Sequence, residues 1–145
     1  MNKQQTGGLR TRIIGEMTVD YSSALEKNFD LAKQFIRITK DGKVEILFKD
    51  KLKGEDQILL YMIGKLYAKE GGFVATDDVG NKELINELGI PEGSLLPWLK
   101  NLRDDNKIKQ NKRERYTYHH ILINLVERTL KNIEKKIKKS ISGEA

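Results

Sequence analysis

The chain has 145 residues, 27 Lys/Arg against 21 Asp/Glu for a net charge of +6, and no cysteine. That length suits one domain with room for an accessory segment, and the missing cysteines exclude a disulfide framework and thiolate chemistry. No stretch approaches the roughly 20 apolar residues of a membrane span, and the opening MNKQQTGGLRTR lacks the apolar run of a secretory signal, so a cytoplasmic protein is expected. The charge is uneven: residues 1–50 carry nine Lys/Arg against seven Asp/Glu, residues 51–106 seven against ten, and residues 107–145 eleven against four. A cationic field gathered at one end attracts polyanions, of which nucleic acid is the commonest; the alternative is a solvated lysine-rich surface.

In chain order, residues 1–17 show no periodicity and are expected to trail as a flexible arm. Residues 18–50 read as an accessory helix and β-hairpin. Ser23 and Glu26 match a capping box, so a helix is expected from Ser23. Leu25, Phe29 and Ala32, with Ala24, Leu31 and Phe35, give it a partly apolar stripe. FIRIT and VEILF flank Asp41-Gly42, a strong hairpin signal in which both turn residues are expected at positive φ. Residues 35–39 should pair with 44–48. The second run is apolar on both faces and should be covered.

A polar break, KDKLKGED, precedes an apolar helix over 58–68, with Glu55 and Asp56 at its positive end. Ile58, Leu59, Met62, Ile63, Leu66 and Tyr67 make a wide buried face, and Gly64 permits close approach of a neighbouring helix. Gly71-Gly72 end the helix. Residues 73–75 suit a short strand, and the acidic loop TDDVG leads to Asn81 as a cap. Then comes NKELINELGIPEGSLLPWLKNL. Leu84 and Leu88 share one helical face, Gly89 suits a left-handed helix end, and Ile90 turns inward. Ser94 is placed to cap a second helix on which Leu95, Trp98, Leu99 and Leu102 recur at helical spacing. Two short helices with a glycine-marked turn and a shared apolar seam make a helix-turn-helix; the plain alternative is a helix pair inside another helical domain.

KIKQ, NKRE and RYTYHH follow and read as a second hairpin, Ile108 on one face of its first strand and Tyr116 and Tyr118 sharing a face of its second. Its polar, mostly basic tip is expected at residues 111–115. Leu84, Leu88, Ile90, Leu95 and Trp98 stand where the DNA-binding helix-turn-helix family has core side chains. Ile85 departs from it, occupying a site where that family has a small residue. Over residues 55–119 the element order resembles the winged helix-turn-helix transcriptional regulators. The resemblance implies a second motif helix lying in the major groove and a wing set against a phosphate backbone or minor groove.

With Leu95, Trp98, Leu99 and Leu102 inward, that helix presents Leu96, Pro97, Lys100, Asn101 and Asp104. Asn101 suits an adenine edge, Lys100 a guanine edge or phosphate, and Leu96 and Pro97 thymine methyls. The helix lacks the arginines that read guanine, so affinity should come chiefly from backbone contacts by Lys107, Lys109, Lys112, Arg113 and Arg115, with Ser94 at the helix start.

The last segment, 120–145, is expected to hold a helix over 120–140, about 30 Å long. Leu122, Val126, Leu130, Ile133, Ile137 and Ile141 recur at three- and four-residue intervals, a narrow seam that suits a two-stranded coiled coil and hence a homodimer. The alternatives are packing on its own domain and a basic amphipathic helix on a membrane, the latter disfavoured by the absence of Trp and Phe.

Catalysis has little support. His119 and His120 are adjacent and point to opposite faces of a strand; they read as strand-end residues, with a metal or proton-sensing role as the alternative. Asp77 and Asp78 lack a third carboxylate at metal-ligand spacing and read as a solvated loop. No phosphate-cradling Gly-rich loop is present, and Ser94 is better explained as a cap than as a nucleophile. Neither an enzyme nor a cofactor nor a metal is indicated.

The expected fold is therefore α+β and mostly helical: a winged helix-turn-helix domain over 51–119, with an N-terminal helix and β-hairpin and a long C-terminal helix. The expected function is a dimeric regulator binding double-stranded DNA, its half-sites about 34–36 Å apart. The alternative is a protein-interaction module that docks a partner on Leu96 and Pro97.

Overall fold

The computed structural model describes residues 8–18 and 21–143. Helix α1 (Leu9–Arg12) runs on as a π-helical turn over Ile13–Met17 and buries none of its residues. Of the expected arm, then, residues 9–17 are helical, and residues 1–7 lie outside the described residues. The accessory helix starts at Tyr21, two residues ahead of the capping-box position, and breaks in two: α2 (Tyr21–Lys27) and α3 (Phe29–Ala32). Asn28 is the break. Its Nδ2 donates to the Ala24 carbonyl at 2.9 Å, the local bond by which asparagine competes with a helix ladder.

Strands β1 (Ile36–Ile38) and β2 (Val44–Ile46) pair antiparallel, Ile36 opposite Ile46 and Ile38 opposite Val44. Both are shorter than the sequence suggests. Of the two turn residues only Gly42 has positive φ, at 88°. The Gly42 N–H donates to the Thr39 carbonyl, and the Thr39 N–H to Lys43, each at 2.9 Å. The connection is therefore a wider loop with one left-handed glycine. Beyond Ile46 the strand ends, because Phe48 takes φ 59° and starts a 3-10 turn at Lys49–Lys51.

Helix α4 (Gly54–Glu70) is the axis of the molecule. Its apolar residues go nearly all the way round, and a helix of that kind must be covered on every side. Ile58, Leu59, Leu60, Met62, Ile63 and Leu66 are all buried; α2, β1 and β2 lie against it, as do the later elements described next. The neighbour that Gly64 admits is strand β2, not a helix. A Cβ at Gly64 would fall well inside contact distance of the Val44 side chain.

The expected strand at 73–75 is displaced to β3 (Val79–Gly80). Helices α5 (Asn81–Leu88) and α6 (Glu92–Asp104) follow, joined through Gly89 at φ 69°. Leu84, Leu88, Ile90, Leu95, Leu99 and Leu102 are buried, while Ile85 and Trp98 are half-buried. The Trp98 ring fills the space that a side chain at Gly54 would need, seating α6 on the start of α4. Neither expected cap holds. Asn81 lies inside the first turn of α5, behind Gly80. Pro91 precedes α6, and the Ser94 N–H donates to the Pro91 carbonyl at 3.0 Å. With the helix starting at Glu92, Pro97 lies within it. The proline withholds a hydrogen bond from the solvent-facing Gly93 carbonyl, a smaller cost than it would carry in a buried turn.

Two glycine substitutions separate close approach from mere helix propensity. Gly64→Ala is expected to lose about 1–2 kcal/mol, because crowding a well-packed position outweighs the helix propensity gained. Gly93→Ala, with nothing within 4 Å of its Cβ, should gain about 0.5–1 kcal/mol. Urea unfolding of the two variants beside the parent checks the opposite signs.

Strands β4 (Ile108–Arg113) and β5 (Tyr116–Ile121) form a hairpin, and β3 joins its second strand, giving the order β3-β5-β4. A 3-10 turn at Ile123–Leu125 leads into α7 (Val126–Ile141). This helix begins six residues later than the expected start at residue 120, because Ile121 is still paired with Ile108 and both are buried. Leu122 is thus not helical. Val126, Leu130, Ile133 and Ile137 are buried in the same cluster as Leu25, Phe35, Val44 and the α4 residues. Of the residues expected at a dimer seam, Val126, Leu130, Ile133 and Ile137 are thus buried within their own subunit, Leu122 is half-buried, and Ile141, the last of the series, is exposed. The architecture is α+β, helices around α4 with two small antiparallel sheets. Among the described residues no helix is long and apolar enough to cross a membrane.

Candidate functional site

The β4–β5 hairpin projects from the core as a finger. Its base is apolar: Ile108, Ile121 and His119 are buried beside Val79. Further out, residues 109–116 are all exposed. The pairing places Lys109, Asn111 and Arg113 on one face with His120, Tyr118 and Tyr116, and Gln110 and Lys112 on the other with His119 and Thr117. The expected tip at 111–115 shrinks to the two-residue loop Glu114-Arg115, since Asn111, Lys112 and Arg113 belong to β4. Glu114 takes φ 56° there.

The two rings on the first face lie 6.5 Å apart, with Arg113 over Tyr118 at 5.3 Å and Arg115 over Tyr116 at 5.8 Å. Tyr116 itself is 55% exposed. The finger therefore carries both cations and an aromatic surface. Lys109, Lys112 and Arg115 form no ion pair among the described residues. Arg113 is different: its Nη2 lies 2.5 Å from Asp78 Oδ1, so it is engaged within the protein. Lys107 is half-buried at the root, where its backbone bonds Leu102 and Leu122.

On α6 the outward residues are the ones expected, and all are exposed: Leu96, Pro97, Lys100 and Asn101. Ser94 is half-buried in the first turn. The face is close to neutral, because Lys100 Nζ pairs with Asp104 at 2.8 Å and Asn101 Nδ2 donates to Glu55 at 3.3 Å. The α7 surface is likewise partly neutralised: Lys131 pairs with Glu127, Lys138 with Glu134 and Lys136 with Asp56. Among the described residues, exposed cations without an ion pair thus remain on the finger, at Lys109, Lys112 and Arg115, and on α7, at Arg128, Lys135 and Lys139.

The expected solvated loop around Asp77 and Asp78 is instead folded against the finger. Asp78 is 8% exposed and His120 9%. His120 Nε2 lies 3.1 Å from Asp78 Oδ1 and Nδ1 lies 3.5 Å from Asp77 Oδ2. The cause is the β3 pairing: Val79 opposite His119 brings the preceding Asp78 to His120. The adjacent His119 and His120 do point apart, as the strand reading expects.

His119 Nε2–H donates to Asn81 Oδ1 at 2.7 Å, which leaves Nδ1 as a buried lone pair without a partner. Burial, the nearby Arg103 guanidinium and His120 lower the His119 pKa from 6.5 to about 4. Between those values the unfolded chain takes a proton that the folded chain refuses, so stability is full above pH 6.5 and falls as the pH drops toward 4. The loss should be on the order of 2 kcal/mol. Urea midpoints measured from pH 7 to pH 4 should show this segment in the parent and a flatter one in His119→Gln.

Between α3, β1 and α4, a shallow apolar groove of about 290 Å³ runs over Phe29, Ile36, Ile38 and Tyr67. It contains no residue the sequence reading singled out for function. No protein-family model matches the chain, and neither a curated protein nor a solved structure matches it.

Proposed function

We propose that this protein binds double-stranded DNA in the manner of a winged helix regulator, with α6 toward the major groove and the β4–β5 finger on the phosphates. The observation that carries the reading is the set of exposed cations Lys109, Lys112 and Arg115 on a projecting hairpin, without ion-pair partners among the described residues. The order of elements supports it: α4, a two-residue strand, α5 and α6 around a left-handed glycine, then a hairpin that takes that strand into its sheet.

Phosphate contacts position a protein and base contacts specify a sequence. The finger supplies the first kind. For the second, Lys100 must leave Asp104 and Asn101 must leave Glu55, so base discrimination is expected to be weak. The reading needs no dimer, since each subunit carries its own finger and its own α6.

A second reading rests on Leu96, which is 55% exposed beside the neutralised Lys100: α6 docks a partner protein, and the finger is only solubilising. Titration of a fluorescent random-sequence duplex at low and moderate salt decides between them. Duplex binding with a slope of log K against log salt near about −3, for three free cations at about −0.9 each, supports the first. Absence of binding at low salt overturns it and leaves the protein-docking reading.

A further inference from the structure

We propose that Asp77, Asp78 and His120 form a divalent metal site, and that an ion bound there displaces Arg113 from Asp78. One ligand atom from each of the three side chains lies within 4.8 Å of the others. The set is not a surface cluster: Asp78 and His120 are both more than nine-tenths buried. His120 Nε2 is buried without any hydrogen-bond partner, although Asp78 Oδ1 is only 3.1 Å away. The carboxylate therefore lies off the direction that a hydrogen bond needs.

Two ligand atoms bound to one ion at about 2.1 Å stand roughly 3.0–3.4 Å apart. The Nε2–Oδ1 separation falls in that range. Asp77, whose Oδ2 lies 3.5 Å from the other ring nitrogen, Nδ1, has to close in toward Nε2, and it sits on a loop rather than in a helix or strand. One imidazole with two carboxylates is a donor set for zinc, cobalt, nickel or manganese rather than for calcium or magnesium. Water would complete the coordination.

Arg113 now does part of what the ion would do. Its guanidinium neutralises Asp78 Oδ1 from the finger side at 2.5 Å. A divalent ion on the same oxygen makes that contact repulsive. Arg113 then turns outward onto the face that holds Lys109, Tyr116 and Tyr118. This last step rests on the duplex-binding reading given above, where it adds a fourth cation to the finger. The ion site itself does not rest on it. Binding free energies are reciprocal, so duplex should tighten the ion by the same factor that the ion tightens duplex.

The test uses the full chain with Zn2+ followed by calorimetry and Co2+ followed by its visible absorption. One ion per chain is expected, with affinity at least about tenfold weaker in His120→Gln and Asp78→Asn. Asp77→Asn, at a half-buried loop position, gives the same information if either buried variant fails to fold. Arg113→Gln should bind the ion several-fold more tightly, because the competing cation is gone. The site is overturned if the parent takes up neither ion, or if affinity survives all three ligand substitutions. A second arm measures duplex binding with and without Zn2+, and the parent should gain affinity and a salt slope steeper by about 0.9. An Arg113→Gln variant that binds the ion no better, or a duplex affinity indifferent to Zn2+, overturns the displacement. A parent that binds Zn2+ but never binds duplex refutes the proposed function while the calorimetry still supports the ion site.

Discussion

Leu130→Ala is expected to cost the fold about 2–5 kcal/mol, the range for a fully buried leucine cut to alanine. Leu130 has no exposed surface and shares its cluster with Val126, Ile133 and Ile137 on α7 and with the buried residues of α4. Nothing nearby is free to collapse into the gap, because α4 is already enclosed on its other sides. The unfolding midpoint should fall by roughly 3–4 °C per kcal/mol in a chain of this size. It should not depend on protein concentration, since the seam is closed within one subunit. Ile141→Ala, 61% exposed at the end of the same stripe, should stay within about 0.5 kcal/mol. If Leu130→Ala left the midpoint unchanged but turned a sedimenting dimer into a monomer, α7 would be an interface after all, and the packing described above would be wrong.

That contrast shows what spacing can and cannot say. The recurrence at 126, 130, 133 and 137 correctly marks one buried face of a helix. Spacing does not say whether that face meets its own domain or a twin, because a coiled-coil seam and a core-facing stripe share the same period. The deciding signal lay elsewhere, in α4. Ile58, Leu59, Leu60, Met62, Ile63 and Leu66 leave no solvated side, so a helix in this position has to supply cover. The helix-turn-helix residues were legible because Leu84, Leu88, Leu95, Leu99 and Leu102 combine helical period with a glycine that takes positive φ. The stretch YTYHHILINL was not, because one β-rich run passes directly into one helical stripe and nothing punctuates the join.

The position of strand β3 is the feature hardest to read from spacing. Two residues have no period to read, and Val79-Gly80 is extended only because the Tyr118–His119 edge offers it partners. Without that pairing Asp77 and Asp78 look like an acidic loop, and His120 looks like a strand end. With it, an antiparallel register carries Asp78 to His120 and puts Arg113 beside both. The candidate finger was therefore half visible. Its cations can be counted from the sequence, but not that one of them, Arg113, is held back by Asp78.

The finger also sets the largest expected change in binding. Lys109→Ala, Lys112→Ala and Arg115→Ala together remove three cations and, at about 0.9 per phosphate, should flatten the salt slope by about 2.7. At about 1 kcal/mol each they weaken duplex binding on the order of 100-fold at moderate salt, for all sequences alike. Lys109 and Lys112 lie on opposite faces of the hairpin. Cations on both faces suit a finger lying in a groove with a phosphate wall on either side, so each single variant should remove a similar share. If only one of the two mattered, the finger would lie flat on a single strand instead. A loss can be imitated by unfolding, but a gain cannot. Glu114 supplies that arm, because it places a carboxylate in the tip between Arg113 and Arg115 at a left-handed φ of 56°, which asparagine tolerates better than most residues. Glu114→Asn should therefore tighten duplex binding several-fold without loss of stability. If the triple variant binds duplex as the parent does, or Glu114→Asn fails to strengthen it, the phosphates are not where the finger points.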